Sequence, residues 1–178
     1  QGNATKLLNK LSNMESFKEA TGSAISPKRM KDKYIILRAL CFYLYFHDEM
    51  VDLKGKRVEY RSDMEEFLGA GMQLFNSMSP DKLKKLEGVF DHTMKRASEC
   101  MGADGFRIPS DGRVKRPISM TLFETLFYYY TLFPENYATD KMRLGIEELL
   151  KDEEYLRSLQ HSVDSSVNVK KRFQKVIE

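Results

Sequence analysis

Three groups of residues in this 178-residue chain have the types and spacing for chemistry. His47, Asp48, Glu49 and Asp52 lie close together and offer the imidazole and carboxylate donors that a divalent cation takes. Adjacent acids in a hydrophilic stretch are more often a solvated helix boundary, and no metal is assigned to them. The thiols of Cys41 and Cys100 would need a nearby cation or a helix N-terminus to become nucleophiles. Cys41 instead lies in an apolar run that raises a thiol pKa, and Cys100 sits near a helix end with apolar neighbours. His92 stands beside Asp91, and His161 stands alone. There is no Gly-x-Ser-x-Gly elbow, no Gly-x-x-x-x-Gly-Lys or Gly-x-Gly-x-x-Gly loop and no zinc-ligand set. No catalytic residue and no cofactor is therefore assigned.

Basic residues form the third group. Lys28, Arg29, Lys31 and Lys33 crowd the start of one expected helix, where cations oppose the helix macrodipole. Asp32, four residues after Lys28, offsets part of that cost. Lys54, Lys56, Arg57 and Arg61 populate one loop, Arg107, Arg113, Lys115 and Arg116 a second, and Lys170, Lys171, Arg172 and Lys175 the chain's end. The first cluster, which local electrostatics disfavours, points to an anionic partner or to an acidic surface on a neighbouring domain. Arg29, Lys31, Lys33, Arg113, Lys115 and Arg116 are the candidates for contacting nucleic acid, DNA in particular. Phosphate contacts of this kind carry strong salt dependence and little sequence preference. Ordinary solvated charge is the competing reading.

The elements that must position these groups are helical. Residues 27–47 begin with Ser26-Pro27, a capping residue followed by proline at the first helical position, and run into a cylinder that is apolar on nearly all sides. Residues 119–133 form a second such helix, capped by Ser119 and closed by Pro134. Helices apolar all round belong at the centre of a domain, so these two are expected to pack together. Arg38 is the only charge in the second half of the first, and Glu124 the only charge in the second. A lone buried charge costs several kcal/mol unless it is paired. Arg38 and Glu124 are therefore expected to form a structural ion pair or to find other partners.

Shorter amphipathic helices surround this pair. They are expected at 5–13 and 15–21, from a Ser62/Glu65 capping box onward, from Ser79-Pro80 to about Gly102, and at 140–151, 153–159 and 167–178. The segment 103–117 breaks the pattern with prolines, glycines and a Ser-Asp-Gly turn; a short β-hairpin near 105–117 and an ordered loop are both open. The expected fold is all-α, an irregular bundle of six to eight helices, in one domain over 3–178.

Composition agrees with a globular domain: 42% hydrophobic, 31% charged, 11 Phe, 9 Tyr and 10 Met, with net charge +3. Two cysteines cannot build a disulfide framework, which favours a reducing, cytoplasmic setting. No run approaches the ~18 uncharged apolar residues of a membrane span, so no membrane partner is expected. Gln1-Gly2 reads as a remnant of a cleaved linker, and the rest as a carboxy-terminal piece of a longer protein.

Several segments taken in order carry a resemblance. They are Arg29-Met30-Lys31-Asp32, Ile36-Leu37-Arg38-Ala39-Leu40-Cys41-Phe42-Tyr43, Met64-Glu65-Glu66-Phe67-Leu68, Phe106-Arg107, Leu122-Phe123-Glu124 and Lys171-Arg172-Phe173. In these the chain resembles the carboxy-terminal helical region of the DUF 262 family. The resemblance implies an amino-terminal ParB/sulfiredoxin-like domain with an Asp-Gly-Gln-Gln-Arg type motif linked to nucleotide hydrolysis, and roles in bacterial or phage-related defence such as GmrSD-type restriction. That motif is missing here: Asp104-Gly105 and Asp111-Gly112 are followed by other residues, and the His-Asn-His nuclease segment of relatives is absent. No catalytic residue carries over. What is expected is a non-catalytic helical domain that supports its own amino-terminal domain and contacts DNA through basic loops. The alternative is a protein–protein interaction or homo-oligomerisation module using an aromatic surface over 127–133. A stand-alone enzyme with a polar pocket around Arg38 and Glu124 is a third reading.

Overall fold

The computed structural model describes residues 2–178; Gln1, half of the linker reading, lies outside them. Nine α-helices, against the six to eight expected, lie among the described residues: α1 Asn3–Ser12, α2 Glu15–Thr21, α3 Lys31–Phe46, α4 Met64–Ser77, α5 Pro80–Met101, α6 Met120–Thr131, α7 Thr139–Leu149, α8 Glu153–Gln160 and α9 Ser166–Ile177. The fold is all-α. None of the described helices is long and apolar enough to cross a membrane.

Helices α3 and α6 contact each other more extensively than any other pair of elements. Their order of contacts fixes their direction. Arg38 meets Glu124, Tyr43 lies 5.8 Å from Phe127, and Phe46 lies 5.8 Å from Tyr128 between ring centroids. Later residues meet later residues, so the helices run parallel. Arg38 is seven residues into α3 and Glu124 four residues into α6. At 1.5 Å per residue the two helix starts lie within about 5 Å of the same level. Residues Thr121 to Tyr130 of α6 are all buried, as are most of α3 from Ile35 to Tyr45. The core around them is one aromatic-rich cluster running from Ala4 to Val176.

Helix entries follow local chemistry, with two corrections. Ser79 and Ser119 cap α5 and α6 by accepting the Lys82 and Leu122 N–H groups. The expected start of α3 at residue 27 is wrong. Ser26 does accept the Lys28 N–H at 3.1 Å, but residues 28–30 form a single 3-10 turn. Arg29 and Met30 both have positive φ, near 56° and 58°, and the helix begins only at Lys31. The capping box is also displaced by one residue. Asp63, not Ser62, accepts the N–H of Glu66 and caps α4, while the Ser62 hydroxyl accepts the Ser166 N–H at the entry to α9.

Between α5 and α6 the chain forms an ordered loop, not a hairpin. One isolated antiparallel bridge, Arg107 with Ile118, pinches its base, and the Ser119 N–H donates to the Phe106 carbonyl at 2.8 Å. Phe106 is buried with its ring centroid 4.6 Å from that of Phe123, which anchors the loop to α6.

Candidate functional site

The most concentrated chemistry in the molecule is a buried ion cluster. Arg38 Nε donates to Glu124 Oε2 at 2.8 Å and its Nη2 to Oε1 at 3.0 Å, a two-point fork. A second guanidinium shares the same carboxylate: Arg172 Nη2 of α9 donates to Glu124 Oε1 at 2.6 Å. All three residues are fully buried. Two arginines on one glutamate would leave one positive charge uncompensated. Asp164, in the turn before α9, balances it with Oδ1 3.1 Å from Arg38 Nη1. That contact is ionic but poorly aligned, because neither atom completes a hydrogen bond. Asp164 is also the member that reaches solvent, its side chain 42% exposed.

Surrounding donors and acceptors hold the cluster in place. Arg172 Nη1 donates to the carbonyls of Ser158 and Val163, and the Tyr60 hydroxyl donates to the carbonyl of Asp164. Tyr155 and Thr125 share a hydrogen bond at 2.7 Å. Burial opposes the charge on Arg38, but Glu124 and Asp164 outweigh it and leave its pKa above the ordinary value. Burial raises the Tyr60 hydroxyl to about 12, with Asp164 adding to the shift. The Cys41 thiol is pushed well up by burial and then by the Glu124 charge, so it is a protonated core residue.

Arg172 corrects the reading of the chain's end as one solvated basic patch. Its neighbours divide: Lys170 is exposed, Lys171 half-buried, and Lys175 pairs with Asp152 at 2.9 Å and Glu154 at 3.5 Å. The signal lay in the spacing, since Val169, Arg172, Phe173 and Val176 share the buried face of α9. Arg96 was missed altogether. It is buried on α5 and donates to the carbonyls of Tyr130, Phe133, Pro134 and Glu135, satisfying the end of α6 and the turn beyond it.

The six candidate nucleic-acid residues lie on the two segments that lead into α3 and α6 or in the first turn of α3. Because α3 and α6 are parallel and level, the segment entering α3 and the loop entering α6 emerge together. Arg29, Lys31, Arg113 and Arg116 are exposed, and none of the four has an ion-pair partner among the described residues. Lys115 is exposed but pairs with Asp104 at 2.6 Å, and Lys33 is half-buried with its ammonium 3.8 Å from Asp32. Arg107 holds the loop through Asp104 and the Arg116 carbonyl. Over residues 22–33 and 102–118 there are eight cations and three carboxylates, a net charge of +5 against +3 for the whole chain. The rest of the protein therefore carries −2.

At the opposite end several acids of the 47–63 loop are held by groups of the loop itself. Arg57 pairs with Asp48 and Glu59 and lies over the Tyr45 ring, and Asp52 accepts the N–H groups of Lys54 and Lys56. Those acids are thus engaged within their own loop. The aromatic surface expected over 127–133 is largely interior: Phe127, Tyr128, Tyr129 and Tyr130 are buried, and only Leu132 is exposed.

Comparisons with family models, curated proteins and solved structures return no match for this chain.

Proposed function

We propose that this chain is a non-catalytic, DUF 262-like helical domain, cytoplasmic in setting, whose basic end binds the phosphate backbone of DNA. The observation that carries the reading is the convergence of two basic segments, distant in sequence, at the paired N-termini of α3 and α6. Five of their eight cations, Lys28, Arg29, Lys31, Arg113 and Arg116, stand unpaired in solvent, and the two segments carry +5 while the rest of the protein carries −2. Phosphate is the anion that such a spread of guanidinium and ammonium groups suits.

The kinship is supported by where its segments fall. Leu37-Arg38, Phe123-Glu124 and Arg172-Phe173 come from three helices and supply the buried ion cluster. Phe67 stacks on Phe42 at 4.9 Å, and Phe106 packs on Phe123. Five of the six segments that carry the resemblance thus contribute to the core, while Arg29 to Lys31 of the remaining one are exposed, which fits a supporting role beside an amino-terminal domain.

The test is fluorescence anisotropy with a labelled 20-base-pair duplex of arbitrary sequence. Four to six phosphate contacts should lower affinity roughly a hundred- to a thousandfold between about 50 and 200 mM salt. Binding should change little when the sequence is scrambled. Affinity that does not vary with salt, or preference for anionic vesicles over duplex, contradicts this reading.

A further inference from the structure

At the far end of α3 lies a cavity of about 370 Å³, walled by α3, α4, α5 and the start of the 47–63 loop. Its volume falls within the range of about 300–1,000 Å³ typical of small-molecule sites. The floor is aliphatic: Leu44 of α3, Leu74 of α4, and Leu86 and Val89 of α5 all face it. The mouth is cationic. Lys82, Lys85, Leu86 and Val89 recur at helical spacing, so a single face of α5 presents two ammonium groups directly above an apolar wall. Neither lysine has an ion-pair partner among the described residues, so both ammonium groups are free to meet an anion. Glu49 is the one carboxylate on the lining, so the rim keeps a positive balance. Tyr43 closes one side, its hydroxyl raised in pKa by burial and by Glu49 and so neutral and able to donate.

We infer that this cavity binds a small anionic amphiphile, a medium-length aliphatic chain ending in a carboxylate, with the chain on Leu44, Leu74, Leu86 and Val89 and the head group between Lys82 and Lys85. Charge complementarity selects this occupant. A neutral apolar ligand would gain nothing from the two ammonium groups at the rim, and a strongly polar one would gain nothing from the aliphatic floor. The site lies at the opposite end of α3 from the basic surface and shares none of its residues, so the two readings stand or fall separately.

The experiment is a calorimetric titration of the full chain with decanoate, kept below its aggregation concentration, alongside 1-decanol as the uncharged match. Amide NMR shifts locate the site. Decanoate should bind saturably, with shifts centred on Leu74, Leu86 and Val89, and decanol should bind at least about fivefold more weakly. Lys82→Ala with Lys85→Ala should remove that difference. Both lysines are exposed, and a thermal midpoint equal to the parent's confirms that the variant folds. A decanoate response that is absent, non-saturable, centred elsewhere or unchanged in the double variant overturns the inference.

Discussion

Arg38 and Arg172, 134 positions apart in sequence, are joined through one carboxylate: Glu124 takes Arg38 on both oxygens and Arg172 on Oε1. Three helices, α3, α6 and α9, are thereby pinned in register at their buried faces. Burying an ion cluster contributes little net stability, because desolvation offsets the attraction, but breaking one is costly. Glu124→Gln should therefore destabilise the fold by about 3–5 kcal/mol, since it strands two buried guanidinium groups. Replacing all three together by apolar residues of similar size (Arg38→Met, Glu124→Leu, Arg172→Met) should cost much less, or even stabilise. Urea unfolding of both variants checks the pair of expectations.

Neighbouring cations on α9 should behave oppositely. Arg172→Ala removes a fully buried partner of Glu124, Ser158 and Val163 and should cost about 3–5 kcal/mol. Lys170→Ala, on the exposed face, should lie within about 0.5 kcal/mol of the parent. Equal denaturation midpoints for the two would contradict the burial of Arg172.

Two glycines in α4 should also separate by sign. A Cβ at Gly71 would overlap the Cys41 sulfur of α3, so Gly71→Ala forces the helices apart at a cost of about 1–3 kcal/mol. Gly69 faces open space, and Gly69→Ala should stabilise by about 0.5–1 kcal/mol through helix propensity alone. Thermal melts of the two single variants give the comparison.

High pH should unfold this protein more readily than most of its surface charges suggest. Burial raises the pKa values of Cys41, Tyr130 and Tyr155, and holds Tyr60 and Tyr129 up to about 12. At alkaline pH the folded state keeps protons that the unfolded chain has released, so stability falls as pH rises. The contribution is intact below the ordinary thiol and phenol values, near 9 and 10, and is lost progressively above them. Urea midpoints should be flat between about pH 7 and 8.5 and drop across about 9.5–11. A midpoint that rises over that interval would contradict the burial of these groups.

How much of this was legible in the sequence depended on contrast. Arg38 and Glu124 stood out because each was a lone charge in an apolar helix, and a buried charge demands a partner. Arg172 did not, because Lys170 and Lys171 beside it made the run look solvated; only its register with Val169 and Val176 betrayed it. Arg96 was hidden for a similar reason, on a helix rich in exposed charge, and its partners are backbone carbonyls that carry no side-chain signal. The Ser26-Pro27 start misled because a capping serine favours a turn as readily as a helix, and the left-handed pair Arg29-Met30 delays α3. The gathering of the basic segments was beyond reach, since nothing in the residues stated that α3 and α6 run parallel.

That parallel packing makes the sharpest demand on the functional reading. Duplex affinity should be measured against salt for three variants: Arg29, Lys31 and Lys33 changed to Ala; Arg113, Lys115 and Arg116 changed to Ala; and Lys54, Lys56 and Arg57 changed to Ala. Each of the first two should lower the slope of log affinity against log salt by about 2–3, near 0.9 for each phosphate no longer neutralised, and the third should leave it unchanged. A third variant as impaired as the other two, or first and second variants that bind like the parent, would contradict binding at this end.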